Sequence, residues 1–139
     1  MSRATPTLRR VAQRLLALEA AVDKAADAQA PPVVCVCETL RRSLSRLLGV
    51  AGFRSLLARA LALATDDVRG LQAVRVTAVG SLEGWGEGAG QLSHDELTQG
   101  GELLIAQLIG LLVTFIGAAL TARLVQEAWP ELSSDDLDF

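Results

Sequence analysis

Apolar residues recur through the first half of the chain at spacings of three and four, which is the repeat of a helix with one buried side. The first stripe follows Thr5-Pro6, a typical helix start, and must end before Pro31-Pro32 because proline disfavours helical geometry in the preceding residue. We therefore predict a helix over 6–29. Its apolar side is Leu8, Val11, Leu15, Leu18, Val22 and Ala25.

The same spacing continues after the two prolines and predicts two more helices, over 33–49 and 53–68. Gly49 and Gly52 weaken a helix, so we place a break or a kink between the two. The predicted buried side of the first is Val33, Val36, Leu40, Leu44, Leu47 and Ala51. That of the second is Phe53, Leu56, Leu57, Ala60, Leu61 and Ala64.

The pattern changes to a period of two around Val74 and Val76, which predicts a small β-hairpin near 73–85. Glycine alternates with other residues over 84–90, a composition typical of a flexible loop. This loop lacks the Lys-Ser/Thr ending of a phosphate-binding loop. Ser93 and Glu96 have capping-box spacing and predict a short helical turn.

The last long element is an uncharged run of 20 residues, 103–122, inside a helix predicted over 101–128. About 20 apolar residues span a bilayer core, so the run is either a membrane segment or the centre of a helical bundle. Its small residues fall on one face and favour close helix packing in either setting. These residues are Ala106, Gly110, Thr114, Gly117 and Thr121. We favour the bundle, because the upstream helices need an apolar partner.

The chain has 139 residues, enough for one domain, and 50% of them are hydrophobic, which excludes a wholly disordered chain. Residues 1–75 carry 12 basic and 6 acidic groups, whereas residues 76–139 carry one basic and 10 acidic groups. The halves therefore have net charges of +6 and −9. We expect the two halves to attract each other within the fold or across an oligomer.

Candidate chemistry is sparse, since His94 is the only histidine and Cys35 and Cys37 are the only cysteines. A closed zinc site usually needs four ligands, and no nucleophile motif accompanies His94. We predict no catalytic, metal or cofactor residues, no cofactor and no small-molecule substrate. The two cysteines are expected to be buried thiols.

Arginines on the second and third helices form a possible basic surface for lipid headgroups or nucleic acid. We expect nucleic acid to be an unlikely partner because no aromatic residues are interleaved for base stacking. A solvated helix surface is the simpler interpretation. The arginines of this surface are Arg41, Arg42, Arg46, Arg54 and Arg59.

The chain ends in an acidic tail, 131–139, predicted to be disordered and solubilising. Asp135, Asp136, Leu137 and Phe139 resemble the acidic tip of bacterial single-stranded-DNA-binding proteins, although Asp138 stands where that family has proline. The resemblance implies docking on a protein partner through the terminal phenylalanine and its carboxylate. It covers about five residues and does not extend to the helical body.

Together these patterns predict a mainly α fold: one helical domain over 1–130, about four helices around a hydrophobic C-terminal helix, with a small hairpin. The function expected first is a non-enzymatic interaction or assembly protein, cytoplasmic, binding a protein partner or further copies of itself. The alternative is a membrane-acting protein of the inner membrane, either a single-pass anchor or an effector that inserts residues 103–122.

Overall fold

The computed structural model describes residues 5–26, 31–85 and 93–137. Within these ranges the chain forms α1 (Pro6–Ala26), α2 (Pro32–Asp67), α3 (His94–Ile116) and α4 (Ala118–Ala128). Two-residue strands β1 (Arg75–Val76) and β2 (Leu82–Glu83) pair antiparallel, and short 3-10 helices cover Arg69–Ala73 and Ser134–Leu137. The predicted mainly α fold with a small hairpin is confirmed.

Helix α3 lies at the centre of the bundle, and every residue from Gly101 to Ile109 is buried. α1 and both arms of α2 pack around it, as predicted for a hydrophobic helix that needs cover on all sides. The small residues at its start allow close contact. A Cβ placed on Gly101 would lie 3.4 Å from Val33 Cβ and 3.5 Å from Trp85 Cζ2.

Helix α2 is two helical arms joined at Gly49, whose backbone is non-helical. The predicted stripe of the second arm is confirmed, because Phe53, Leu56, Leu57, Ala60, Leu61 and Ala64 are all buried. In the first arm the stripe is buried only as far as Leu44. Leu47 is 53% exposed and Ala51 is exposed, so their predicted burial is wrong.

The last long helix differs from the predicted 101–128 at its start and in its interior, whereas its end at Ala128 agrees. It begins earlier, at His94, because Ser93 and Glu96 form a complete capping box with two 3.1 Å hydrogen bonds. It is also interrupted at Gly117, where α3 ends and α4 begins. The predicted continuous segment 103–122 is therefore divided between two helices.

The hairpin is closed by a turn in which Thr77 N–H donates to Ser81 O at 2.8 Å. Gly80 in this turn has a φ of 84°, and a Cβ there would lie 3.3 Å from the Phe53 ring. The hairpin thus packs against α2. Residues 86–90 of the predicted glycine-rich loop lie outside the described residues.

The described part of the predicted tail, 131–137, packs on the bundle, where the sequence predicted disorder. Leu132 and Leu137 are buried with the core, which gives this acidic segment an apolar attachment. The preceding Trp129 is also buried, and its indole Nε1 donates to Glu19 at 3.0 Å. Asp138 and Phe139 lie outside the described residues.

Candidate interaction surface

Two glycines bend their helices with nearly the same backbone conformation. Gly49 has φ 77° and ψ 162°, and Gly117 has φ 89° and ψ 157°. This region of backbone space is essentially restricted to glycine. Gly117 N–H donates to Val113 O at 3.0 Å, while its carbonyl accepts from Thr121 N–H at 3.1 Å. One residue therefore closes α3 and opens α4.

The two bends lie at the same end of the bundle. Val33, in the first turn of α2, contacts Gly101, and Leu71, in the 3-10 turn that follows α2, contacts Gly100, so both ends of α2 lie near the start of α3. Sixteen residues lead from Val33 to Gly49 and sixteen from Gly101 to Gly117, about 24 Å of helix in each case. We call residues 47–51 and 115–120 together the kinked end.

The kinked end exposes large apolar side chains. Phe115 is 65% exposed, Leu47 53%, Val50 48% and Leu120 36%. One other large apolar side chain among the described residues is similarly exposed, Val79 in the hairpin turn. Exposed apolar residues scattered singly are ordinary, but four that flank two bends at the same end of the bundle indicate a patch.

Basic side chains predominate around the kinked end. The sequence has no Asp or Glu between Thr39 and Thr65, or between Leu103 and Gln126. The same two ranges contain six arginines, of which all but Arg41 are exposed. They are Arg41, Arg42, Arg46, Arg54, Arg59 and Arg123. The predicted basic surface thus includes residues close to the apolar patch.

Two carboxylates just outside these ranges pair with arginines of the set: Glu38 with Arg41, and Glu127 with Arg123 at 3.5 Å. Arg41 donates to Glu38 Oε1 at 2.8 Å, and Ser81 Oγ donates to Glu38 Oε2 at 2.7 Å. Burial opposes ionisation of Glu38, but these hydrogen bonds and the charges of Arg41 and Arg42 outweigh it and lower its pKa. Glu38 therefore stays ionised and ties the hairpin to α2.

The predicted small-residue face does not form one continuous seam. Ala106 is buried and Gly110 meets Leu8, but Thr114 is exposed and donates to Gly110 O at 3.1 Å. Beyond the bend, Thr121 is buried and donates to Gly117 O at 2.7 Å. Only the first part of the face supports helix packing, because the change of direction at Gly117 separates the rest.

The tail residues singled out from the sequence take different positions. Leu137 is buried, and Asp136 is held by Ser133 Oγ at 3.1 Å and lies 3.7 Å from Arg14. Asp135 is exposed. Hydrogen bonds donated to the Asp136 carboxylate by the Ser133 backbone N–H and hydroxyl, with the charges of Arg14 and Arg10, lower its pKa. Docking by the tail remains a prediction.

A concavity lies at the end of the bundle opposite the kinked end, between α1, the start of α2 and the start of α3. It encloses about 500 Å³, with Leu16, Pro32, Trp85 and Leu97 among its walls. Glu102, nearly buried, accepts from Arg9 Nε at 2.8 Å beside it. This ion pair joins α1 to α3.

The cysteines and histidine form no site in the described part of the chain. Cys37 is buried, which raises the pKa of its thiol well above the ordinary range, and Cys35 is half-buried. No group of three or more His, Cys, Asp or Glu side chains suited to a metal occurs in the described residues. The His94 side chain lies outside the described part.

Two described helices, Pro32–Asp67 and Asp95–Ile116, are long and apolar enough to cross a membrane by length and composition. The buried core helix of a soluble bundle meets the same criterion. In the most apolar stretch of Asp95–Ile116, 61% of the residues are buried. The membrane alternative is therefore permitted in this coarse form.

A comparison with protein-family models, with curated proteins and with solved structures finds no match to this chain. The surface must therefore be interpreted from its own residues.

Sequence reasoning did not identify the apolar patch. Leu47 was assigned to a buried stripe, and Phe115 and Leu120 to the faces of one continuous helix. The available signal was the local sequence around each glycine, since large apolar residues stand on both sides of Gly49 and Gly117. A helix that turns sharply among apolar residues places some of them beyond the core.

Proposed function

We propose that this protein is a non-enzymatic helical interaction protein that binds its partner through the kinked end. The observation that carries the proposal is the exposure of Leu47, Val50, Phe115 and Leu120 beside two glycine bends at one end of the bundle. Apolar patches rimmed by polar residues are typical of interaction sites. The other large apolar side chains of the bundle are mostly covered by the core.

The packing beneath the patch supports a surface that keeps its shape. Leu48 and Ile116, next to the exposed residues, pack partly on the core. The patch therefore sits on helix ends that the bundle holds in place, which lowers the ordering cost of binding. A flexible loop with the same residues would lose more conformational entropy on binding.

The test is size-exclusion fractionation of native lysates, one containing the untagged wild type and another the double variant Leu47→Ser with Phe115→Ser. We expect the wild type to elute with larger particles and the variant to elute near its monomer mass of 14.7 kDa. Leu97→Ser is the matched control, because Leu97 lies in the concavity at the opposite end. Circular dichroism establishes that all three proteins are folded.

Equal elution of the wild type and the double variant, both as monomers or both in the larger fraction, would refute the proposal. Loss of the larger fraction only in Leu97→Ser would move the binding surface to the other end of the bundle.

A further inference from the structure

We propose that the partner of the kinked end is an anionic phospholipid bilayer, which the protein binds from one side without crossing it. This inference rests on the proposed function and names the partner of the same surface. It combines two features of that surface, its exposed large apolar side chains and its excess of exposed arginines over carboxylates. Interfacial binding to anionic lipid needs both features in one place.

The arginines lie at the depth where lipid headgroups would be. Arg46 precedes Gly49 by three residues and Arg54 follows it by five, which places them about 5 and 8 Å along the helices from the bend. Arg123 follows Gly117 by six residues, about 9 Å. Apolar groups of interfacial proteins insert about 5–10 Å, so these cations would reach the phosphates.

Charge also favours a bilayer over a second copy of the chain as the partner of the kinked end. Two kinked ends placed face to face would bring Arg46 and Arg54 of both copies together, while the nearby carboxylates Glu38 and Glu127 already pair with Arg41 and Arg123. An anionic membrane instead supplies the opposite charge, worth about 1 kcal/mol for each arginine near the surface. Charge complementarity thus favours lipid over self-association at this end.

The exposed apolar side chains favour a bilayer over nucleic acid as the partner of the kinked end. A phosphate backbone would satisfy the arginines but offers no apolar interior for Leu47, Val50 and Leu120. Only one aromatic residue, Phe115, is present to stack on a base. The acyl region of a bilayer accommodates all four apolar side chains at once.

The position of the patch favours surface binding over a spanning helix. The segment 103–122, which the sequence predicted as a possible span, is interrupted at Gly117, and its residues up to Ile109 form the centre of the bundle. Insertion of the kinked end requires only the residues already exposed. The acidic start of α3, with Asp95 and Glu96, would face away from the membrane.

The experiment is co-sedimentation of the purified, untagged full chain with vesicles of phosphatidylcholine, with and without phosphatidylglycerol. We expect the wild type to partition at least tenfold more strongly onto the anionic vesicles. Phe115→Ser should lower this partitioning by about tenfold or more through lost apolar burial. Arg46→Gln with Arg54→Gln should lower it by about tenfold on anionic vesicles.

The matched control is Arg69→Gln. Arg69 is exposed like Arg46 and Arg54, but it belongs to the 3-10 turn that contacts the start of α3, away from the kinked end. Its loss should change partitioning by less than about twofold if only the kinked end meets lipid. All the substituted side chains are exposed, and circular dichroism checks that each variant keeps its helical content.

Absence of wild-type binding to anionic vesicles overturns the lipid inference. If the lysate fractionation still depends on Leu47 and Phe115, the proposed interaction function survives with a different partner. If neither assay depends on them, both proposals fail. Vesicle binding that is equal for the wild type and Phe115→Ser, or unaffected by phosphatidylglycerol, also overturns the inference.

Discussion

The start and the end of α3 use glycine for opposite purposes. At the start, a Cβ on Gly100 would lie 3.1 Å from the Leu71 side chain, so glycine there permits close packing. At the end, a Cβ on Gly117 would meet nothing within 4 Å, and the residue is needed for its backbone angles. One glycine brings the core together, while the other turns the chain at the surface.

The same contrast appears in the side chains of α3. Leu108 and Phe115 are seven residues apart, hence on nearly the same side of the helix, yet Leu108 is fully buried and Phe115 is 65% exposed. Apolar character therefore has two meanings within one helix. It builds the core at the first position and forms a candidate contact surface at the second.

The largest expected difference in stability is between an alanine substitution at Leu108 and one at Phe115. Leu108→Ala should lower the free energy of unfolding by about 2–5 kcal/mol, because it opens a cavity in a fully buried site. Phe115→Ala should change it by less than about 0.5 kcal/mol. Urea denaturation of both variants measures the difference, and equal losses would show that Phe115 is packed in solution.

Glycine substitution tests the bends with a smaller effect. Gly117→Ala and Gly49→Ala should each cost about 1–3 kcal/mol, since an L side chain is strained at these angles although space is open. Gly110→Ala is the control because Gly110 is helical and an added Cβ meets only the Leu8 Cδ1 atom, at 3.1 Å. We expect it to remain within about 1 kcal/mol of the wild type.

Urea midpoints and slopes for the three glycine variants would complete this measurement. If the bend at Gly117 reflects only a low helix propensity, Gly117→Ala should destabilise the protein no more than Gly110→Ala. That result would remove the physical basis for a fixed kinked end.

The periodicity of apolar residues correctly predicted the helix faces that pack on the core. The stripe from Phe53 to Ala64 is buried as predicted, because each turn of that arm faces the same neighbours. The identical pattern failed at Leu47 and Ala51, since a repeat of three and four does not reveal where the arm leaves the core. The interruption at Gly117 was missed for a related reason.

The sequence alone does not distinguish a glycine that permits close packing from a glycine that adopts a positive φ. Ala106, Gly110 and Gly117 share helical spacing, and only the tertiary structure separates the first two, which pack, from the third, which bends the chain. The capping box at Ser93 did signal the true start of α3. The helix predicted over 101–128 nevertheless started too late, because α3 continues through Gly100 and Gly101, where it makes close contacts.

Acid should weaken the link between α2 and the hairpin. The pKa of Glu38 is lowered in the fold, so its contribution is present above the unfolded value of about 4.5 and is lost as pH falls through the lower folded value. Because the Glu38–Arg41 ion pair is still partly exposed to solvent, we expect Glu38→Gln to cost at most about 1 kcal/mol at neutral pH. That cost should vanish at low pH.

Denaturation midpoints of the wild type and Glu38→Gln, measured from neutral pH to below pH 4, test this sign. A gap that stays constant over the range would assign the effect of the variant to lost packing instead of lost charge.

The smallest expected effect is at the remaining exposed residues, Val50 and Leu120. Their replacement by serine should change the free energy of unfolding by less than about 0.5 kcal/mol each, because both side chains are already at least one-third exposed. Urea denaturation at two protein concentrations provides the measurement. A loss above about 1 kcal/mol that grows with protein concentration would mean that a second copy covers these side chains. The kinked end would then be buried in an oligomer and not open to lipid. A negligible, concentration-independent change would show that the fold does not need these side chains, so that their effect on binding can be measured without a change in stability.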